Sequence, residues 1–307
     1  MRLKFLPLLF ICWLQLLVPL VSMAEPLKLM GSTTIKPVID HLDYIVNGAE
    51  RTFLHEADEE NLQQVDKWLS QEFKDRVIHH FGGVDFSIRP GGSSIGIRSA
   101  FMGNAHVGLA SRDMLDNEID LLNQLEIIQI GSDSLVFMVD IKNPVNEITS
   151  MELNQVYSGE ITHWNEVGGR SERIQLIGKG THHGTFEVFV RALGLEGQEL
   201  PHIATFETES RISLMITKRL NAGVGFGSLG ALNQGDVGEK FKLLTIDGAN
   251  PLNGGNINIH YPYIRPLNLI VRRDVMDNES VQKLLMFFRG QDGKDLLKAH
   301  GFITVQN

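Results

Sequence analysis

The chain has 307 residues, 43% of them hydrophobic and 21% charged, with a formal net charge of −9 and a single cysteine. An acidic excess argues against nucleic acid and anionic lipid surfaces as partners, since both are bound through clustered Lys and Arg. One cysteine permits no internal disulfide.

In chain order, Arg2 and Lys4 precede an apolar run from Phe5 to Val21, and Ser22-Met23-Ala24 then precede Glu25. A positive end, an apolar middle and small residues before a cut are the order of a secretory signal peptide, so residues 1–24 are expected to be removed after Ala24. The run falls short of the ~20 apolar residues that span a bilayer. Bulky Phe10 and Ile11 before Cys12 do not suit a lipid-attachment site. The expected exported chain, residues 25–307, loses its cysteine with the leader, has no thiol chemistry and draws its stability from burial. Its length suggests two domains. It keeps 26 Lys and Arg against 37 Asp and Glu, so an anionic ligand would have to be held by local donors, not by the overall field.

Short apolar segments at Leu27–Met30, Val84–Ile88, Val107–Leu109, Leu135–Val139, Ile174–Ile177, Val224–Phe226 and Leu267–Val271 read as strands. Segments with helical spacing lie between them, so the predicted class is α/β. Within 57–80, Leu62, Val65, Leu69, Phe73 and Val77 recur every three or four residues, opposite Glu59, Glu60, Lys67, Lys74 and Asp75, which predicts one amphipathic helix. Asp277 to Gly290 carries a second helical pattern in Val281, Leu284, Leu285 and Phe288, with Gly290 as its stop. Asn250 to Tyr263, rich in Pro, Gly and Asn, reads as an irregular approach to a domain crossing.

Three segments share one grammar: a short strand, a turn of Gly with Ser or Thr, then a helix. They are Leu27–Met30 into Gly31-Ser32-Thr33-Thr34, Val84–Ile88 into Gly91-Gly92-Ser93-Ser94, and Ile174–Ile177 into the turn from Gly178 to Thr185. Glycine lets backbone approach a ligand, and free N–H groups at a helix start favour an anion. Any one such turn is also what a capped helix looks like, because Ser and Thr are preferred caps. Three in one chain fit an open α/β sheet whose strand ends converge on one small anion.

Those residues carry a resemblance. Gly31-Ser32-Thr33-Thr34-Ile35-Lys36-Pro37, Gly92-Ser93-Ser94-Ile95-Gly96-Ile97 and Val107-Gly108-Leu109-Ala110-Ser111-Arg112-Asp113 are similar to segments of the phosphate-binding component of the high-affinity phosphate ABC importer. So are Leu153 to Trp164, Gly184-Thr185-Phe186-Glu187, Gly223-Val224-Gly225-Phe226 and Tyr261 to Leu267, in the same order. The resemblance implies a two-domain periplasmic-binding-protein fold of type II, with mixed sheets flanked by helices and a two-strand hinge. The expected first domain is 25–135 plus 264–307, the second 136–263, with crossings at Leu135–Val139 and Tyr261–Leu267.

It also implies a monomeric periplasmic protein that takes up phosphate and delivers it to a membrane permease, without catalysis, cofactor or metal. The implied ligand residues are Thr33, Thr34, Ser93, Ser111, Lys179, His183, Gly184 and Thr185, with Ser32, Ser94 and Arg112 as secondary candidates. This chain departs from the family's pattern where an Asp commonly stands, which here is Ser111. Lys179 and His183 also stand in place of an Arg and a Ser. Lys is a point charge where Arg is a planar fork, so another tetrahedral oxyanion, or a sensing role, stays open beside phosphate uptake. Residues 40–82 exceed the family's usual spacing by about one helix, an extra element expected to pack on the surface.

Two other motifs compete. Gly92-Ser93-Ser94-Ile95-Gly96 fits the Gly-x-Ser-x-Gly elbow of serine hydrolases, with Ser94 as nucleophile. Gly225 to Gly230 matches Gly-x-Gly-x-x-Gly, but Gly235 and Gly238 would cut short the helix a dinucleotide site needs, and tight backbone packing is the expected reason for these glycines. His79-His80 and His182-His183 lack metal-ligand spacing. The first pair is expected at a helix end and the second in the oxyanion loop.

Overall fold

The computed structural model describes residues 25–48, 62–63, 65–181, 183–206, 209–218, 222–232, 237–254 and 256–304. The expected signal peptide, the start of the predicted helix at 57–80, and His182 lie outside the described residues.

The chain opens with β1 (Leu27–Gly31), α1 (Lys36–Asn47), α2 (Gln71–Phe81), β2 (Phe86–Pro90), α3 (Ser93–Phe101), β3 (Val107–Ala110) and a long β4 (Leu125–Asp140). It continues through α4 (Ser150–Ser158), β5 (Gln175–Gly178), α5 (Gly184–Ala192), β6 (Ala204–Thr205), α6 (Glu209–Lys218), β7 (Gly223–Ser228) and β8 (Phe241–Leu243). It closes with β9 (Ile264–Arg272), α7 (Glu279–Arg289), α8 (Gln291–Ala299) and β10 (Ile303–Thr304). These strands share one mixed sheet in the order β2-β1-β3-β9-β4-β7-β5-β6, with β8 and β10 also pairing on β4.

Strand β4 belongs to two neighbourhoods. Leu125 to Ser134 pair antiparallel with β9, whereas Leu135 to Val139 pair antiparallel with β7. The sequence predicts only the second part, since every residue from Leu135 to Asp140 is buried, whereas exposure in the first part is mixed. A strand covered on both faces reads as a continuous apolar run and a half-covered one does not.

The buried apolar residues divide in the same way. One core runs from Leu135 to Tyr263 and includes Tyr157, Trp164, Phe189 and Phe226. A second takes residues from both ends of the chain, among them Leu29, Ile39, Phe81, Leu109, Leu269 and Leu285. A small satellite around Ile97 and Ile270 adjoins the second. The chain therefore leaves a first lobe along β4, builds a second lobe, and returns along β9.

The predicted helix at 57–80 is broken. Residues 65–66 are helical, 67–69 turn, and α2 starts anew at Gln71, with Ser70 Oγ accepting from Phe73 N at 3.2 Å. The cap satisfies an N–H that the first turn leaves open, and that local gain competes with continuing the longer helix. Phe73, Val77 and Phe81 still face the core, where Phe81 lies 5.2 Å from the Phe287 ring. Arg76 Nη2 donates to Asp292 on α8 at 2.7 Å. The extra segment thus packs on the first lobe, and His80 at the end of α2 meets the Lys283 carbonyl at 2.8 Å. The helix predicted to stop at Gly290 spans Glu279–Arg289, with Asn278 accepting from Val281 N.

The glycine-rich match at 225–230 is packing. A β-carbon on Gly225 would lie 2.7 Å from Ile216, and one on Gly230 would lie 2.3 Å from Phe302.

Candidate functional site

The segments that follow β1, β2 and β3 converge in the first lobe because glycine lets their backbones touch. Gly31, at φ +136°, lies so close to β3 that a β-carbon there would sit 2.2 Å from the Leu109 carbonyl. A β-carbon on Gly96 of α3 would come within 2.4 Å of the same oxygen. Helix α3 thus lies directly on β1 and β3, and its first turn comes beside the end of β1.

Three fully buried serines follow from this approach. Ser32 Oγ donates to Ser111 Oγ at 3.0 Å, Ser111 N donates to Ser93 Oγ at 3.0 Å, and the Ser93 and Ser111 hydroxyls lie 3.5 Å apart. Ser32 Oγ also accepts from the backbone N–H of Thr34 at 3.2 Å and of Ile35 at 3.4 Å. Ser32 thus shapes the turn ahead of α1, and the Thr34 backbone N–H faces Ser32 while its hydroxyl lies elsewhere in the cluster. A serine hydroxyl accepting from the N–H groups two and three residues on is a local turn that fixes the backbone before the helix begins.

The second lobe meets this cluster with the turn between β5 and α5. Lys179 and Thr185 are buried there at 4% and 3% exposure, and His183, partly buried, is the residue before α5. Gly184, the first residue of α5, faces the first lobe: a β-carbon built on it would lie 3.6 Å from Gly92 Cα and 3.8 Å from Ser93 N. The N-terminal turns of α3 and α5 therefore face one another across the lobes, with Thr33 Oγ1 3.9 Å from that same point. Both ends present partial positive charge.

Arg112, expected as a secondary ligand residue, bridges the lobes. Its Nε donates to Glu187 Oε1 of α5 at 2.8 Å. Nη1 donates to the Asp113 carbonyl and to Glu118, and Nη2 to Ser94 Oγ and Glu118. A guanidinium has five N–H groups, and all five are used within the protein. Burial works against its charge, but Glu118 and Glu187 outweigh burial and raise its pKa. Glu118 responds reciprocally: burial would raise its pKa, yet bonds from Arg112 and Leu115 N hold it below the ordinary carboxylate range. Ser94 is exposed, donates to Glu187 Oε1 at 2.7 Å and accepts from Arg112. Ser94 thus meets a carboxylate and a guanidinium.

A further pair lies where the two long strands run side by side. Arg265 of β9 is opposite Asp133 of β4, and its Nε and Nη2 donate to Asp133 Oδ2 at 3.0 and 2.7 Å. Both side chains are buried, and Gly230 N donates to the other carboxylate oxygen at 3.2 Å. Arg265 Nη2 also donates to Thr34 Oγ1 at 3.0 Å. Neither Glu187 nor the Asp133–Arg265 pair is predicted as part of the site from the sequence, although Glu187 and Arg265 stand inside segments that carry the resemblance.

Two α/β lobes joined by shared long strands, with helix N-termini and hydroxyls gathered between them, are the fold of type II periplasmic binding proteins. Residues 64–290 match the family model described as PBP superfamily domain, and the chain belongs to that family. The phosphate-binding protein PstS of Borreliella burgdorferi is 24% identical over 225 residues, covering 70% of this chain and 78% of that protein. An ABC-type phosphate transport receptor from Vibrio cholerae superposes with a TM-score of 0.70 at 22% identity, covering 92% of this chain and all of that one. A protein assigned to phosphate ABC transport from Clostridium perfringens, solved with bound phosphate, gives a TM-score of 0.66 at 21% identity over 92% of this chain and all of that one.

Proposed function

We propose that this chain is an exported, monomeric binding protein that captures inorganic phosphate between its lobes and passes it to the membrane permease of an ABC importer. The observation that carries the reading is the meeting of Gly184 at the start of α5 with Gly92 and Ser93 at the start of α3, beside the buried Ser32, Ser111 and Ser93 hydroxyls. Such a place is rich in donors, which the unprotonated oxygens of a phosphate accept. The names borne by the relatives support phosphate among the anions. The apolar leader, with its cut after Ala24, supports export to the periplasm.

On this reading Thr33, Thr34, Ser93 and Ser111 hold the anion from the first lobe. Lys179, His183, Gly184 and Thr185 hold it from the second. The domain limits are 25–135 with 264–307 and 136–263, and β4 and β9 form the hinge. An anion touching both walls binds the closed arrangement better than the open one, so capture and closure are one event. The chemistry needed is binding alone. The Ser32, Ser93 and Ser111 hydroxyls hold one another, Arg265 holds the Thr34 hydroxyl, and Ser94, the one hydrolase candidate, is tied to Glu187 and Arg112.

The test is calorimetry of the purified protein with phosphate, arsenate, sulfate and molybdate. The reading expects saturable binding of one anion per chain, tightest for phosphate. Heat from none of the four, together with labelling of Ser94 by a serine-directed reagent, would return the hydrolase reading.

A further inference from the structure

We propose that Arg265, on the strand returning to the first lobe, is a direct ligand of the oxyanion, reaching it through Nη1 beside the Thr34 hydroxyl. This rests on the oxyanion reading above and adds a residue that composition and motif do not mark.

The argument begins with how the guanidinium is committed. Its Nε and one hydrogen of Nη2 point at Asp133 Oδ2, and Nη2 also donates to Thr34 Oγ1. Nη1 is buried and has no hydrogen-bond partner among the described residues. The whole residue is only 3% exposed. Two N–H groups of a buried cation left without acceptors are costly enough that folded proteins seldom leave them so. The edge made by Nη1 and Nη2 is the one that faces Thr34, whose turn enters the cluster of Ser32, Ser93 and Ser111.

The neighbours define what completes the shell. Asp133 sits on the edge made by Nε and Nη2, with Gly230 N on its other oxygen, so Nη1 lies on the far side of the fork from it. Thr34 Oγ1 already accepts from Arg265, which leaves its own proton to donate. Two Nη1 protons and the Thr34 hydroxyl proton are thus donors pointing from one small region, beside the N-terminal turns of α1 and α3. A water molecule offers two donors of its own that would need acceptors here, whereas a tetrahedral oxyanion uses each of these donors. The pairing with Asp133 fixes the plane of the fork and removes most of its rotamer freedom, so little entropy is lost when an anion arrives.

The experiment titrates inorganic phosphate into the wild type, Arg265→Lys, and the double variant Asp133→Asn with Arg265→Gln, following heat of binding and, separately, thermal unfolding. Arg265→Lys keeps a cation beside Asp133 but lacks the fork. The double variant removes both buried charges together, so no uncompensated charge is left to oppose its folding. Each folded variant is expected to bind phosphate at least tenfold more weakly than the wild type. In wild-type protein labelled with [15N]arginine, phosphate should shift a guanidinium resonance that disappears in Arg265→Lys. A folded variant binding within about threefold of the wild type, or no such shift, would show that Arg265 is only a strut and that water occupies Nη1. A wild type that binds no phosphate would instead overturn the oxyanion reading itself, and this assignment with it.

Discussion

Arg112 Nε and Glu187 Oε1 lie 2.8 Å apart, one on the loop after β3 and the other in the first turn of α5, so a charged hydrogen bond spans the two lobes. Ser94 Oγ donates to the same carboxylate oxygen from α3. This contact is only possible with the lobes together, which makes Glu187 a latch for the closed arrangement. Glu187→Gln keeps the shape and removes the charge, while Arg112 remains paired with Glu118. The substitution is expected to weaken closure by about 1 kcal/mol, reading the contact as one partly exposed charged hydrogen bond. X-ray scattering should report a larger radius of gyration for ligand-free Glu187→Gln than for the wild type. Identical profiles would remove the latch from the account.

Stability should fall with acid through a buried imidazole pair. His41 Nδ1 and His300 Nε2 are 3.0 Å apart, and His41 Nε2 meets Asp66 at 3.2 Å. Burial, with the neighbouring His41, lowers the His300 pKa to about 3, and burial also lowers that of His41. The folded state thus refuses a proton that the unfolded chain accepts at its ordinary pKa near 6.5. The contribution is intact above pH ~6.5 and is lost by up to ~1.4 kcal/mol per pH unit as pH falls from there toward 3. Urea unfolding at a series of pH values should show this slope, and His300→Gln should flatten it. An equal slope in the variant would place the acid sensitivity elsewhere.

The convergence of the turns depends on glycines whose neighbours are backbone. Gly96→Ala would set a methyl 2.4 Å from the Leu109 carbonyl and 2.8 Å from the Met30 carbonyl. Neither atom can rotate away, so α3 must lift from the sheet, an overpacking cost of about 1–3 kcal/mol. Phosphate affinity should drop as well, because Ser93 moves with the helix. Unfolding that matches the wild type would show the first lobe to be more compliant than its geometry indicates.

Two substitutions probe the turn from the second lobe. Lys179→Met should weaken every oxyanion at every pH, by roughly 1.5–3 kcal/mol for a contact between charged partners. His183 tests charge more finely with sulfate, whose charge is constant over the range from about pH 8 to about pH 5.5. A bound anion favours the imidazolium over the neutral ring, so sulfate affinity should rise as pH falls over that range. His183→Ser should abolish that rise. A trend that survives in the variant would assign the proton to another group.

Much of this arrangement can be read in the sequence because it is local. The turns announce themselves through glycine beside Ser and Thr, and the strands of the second lobe through unbroken apolar runs. The break at Ser70 was also written locally, as a capping serine inside a helical pattern, but the periodicity of Leu62, Val65, Phe73 and Val77 masks it. Arg265 and Glu187 are different. Their partners lie 132 and 75 residues away in sequence, and only the return of β9 beside β4 and the facing of the lobes bring them in. Arg112 adds to this, since its partner Glu187 lies 75 residues on and is not announced by the serine beside it in sequence.

The most direct test of the central claim is the crystal structure of the protein grown with inorganic phosphate. The account predicts one phosphate between the lobes, within hydrogen-bond reach of the Thr34 and Ser93 hydroxyls on one side and of Lys179 and the N-terminal turn of α5 on the other. Phosphate bound on an outer surface, or Thr34 and Ser93 hydroxyls that stay free of phosphate at saturating concentration, would contradict it.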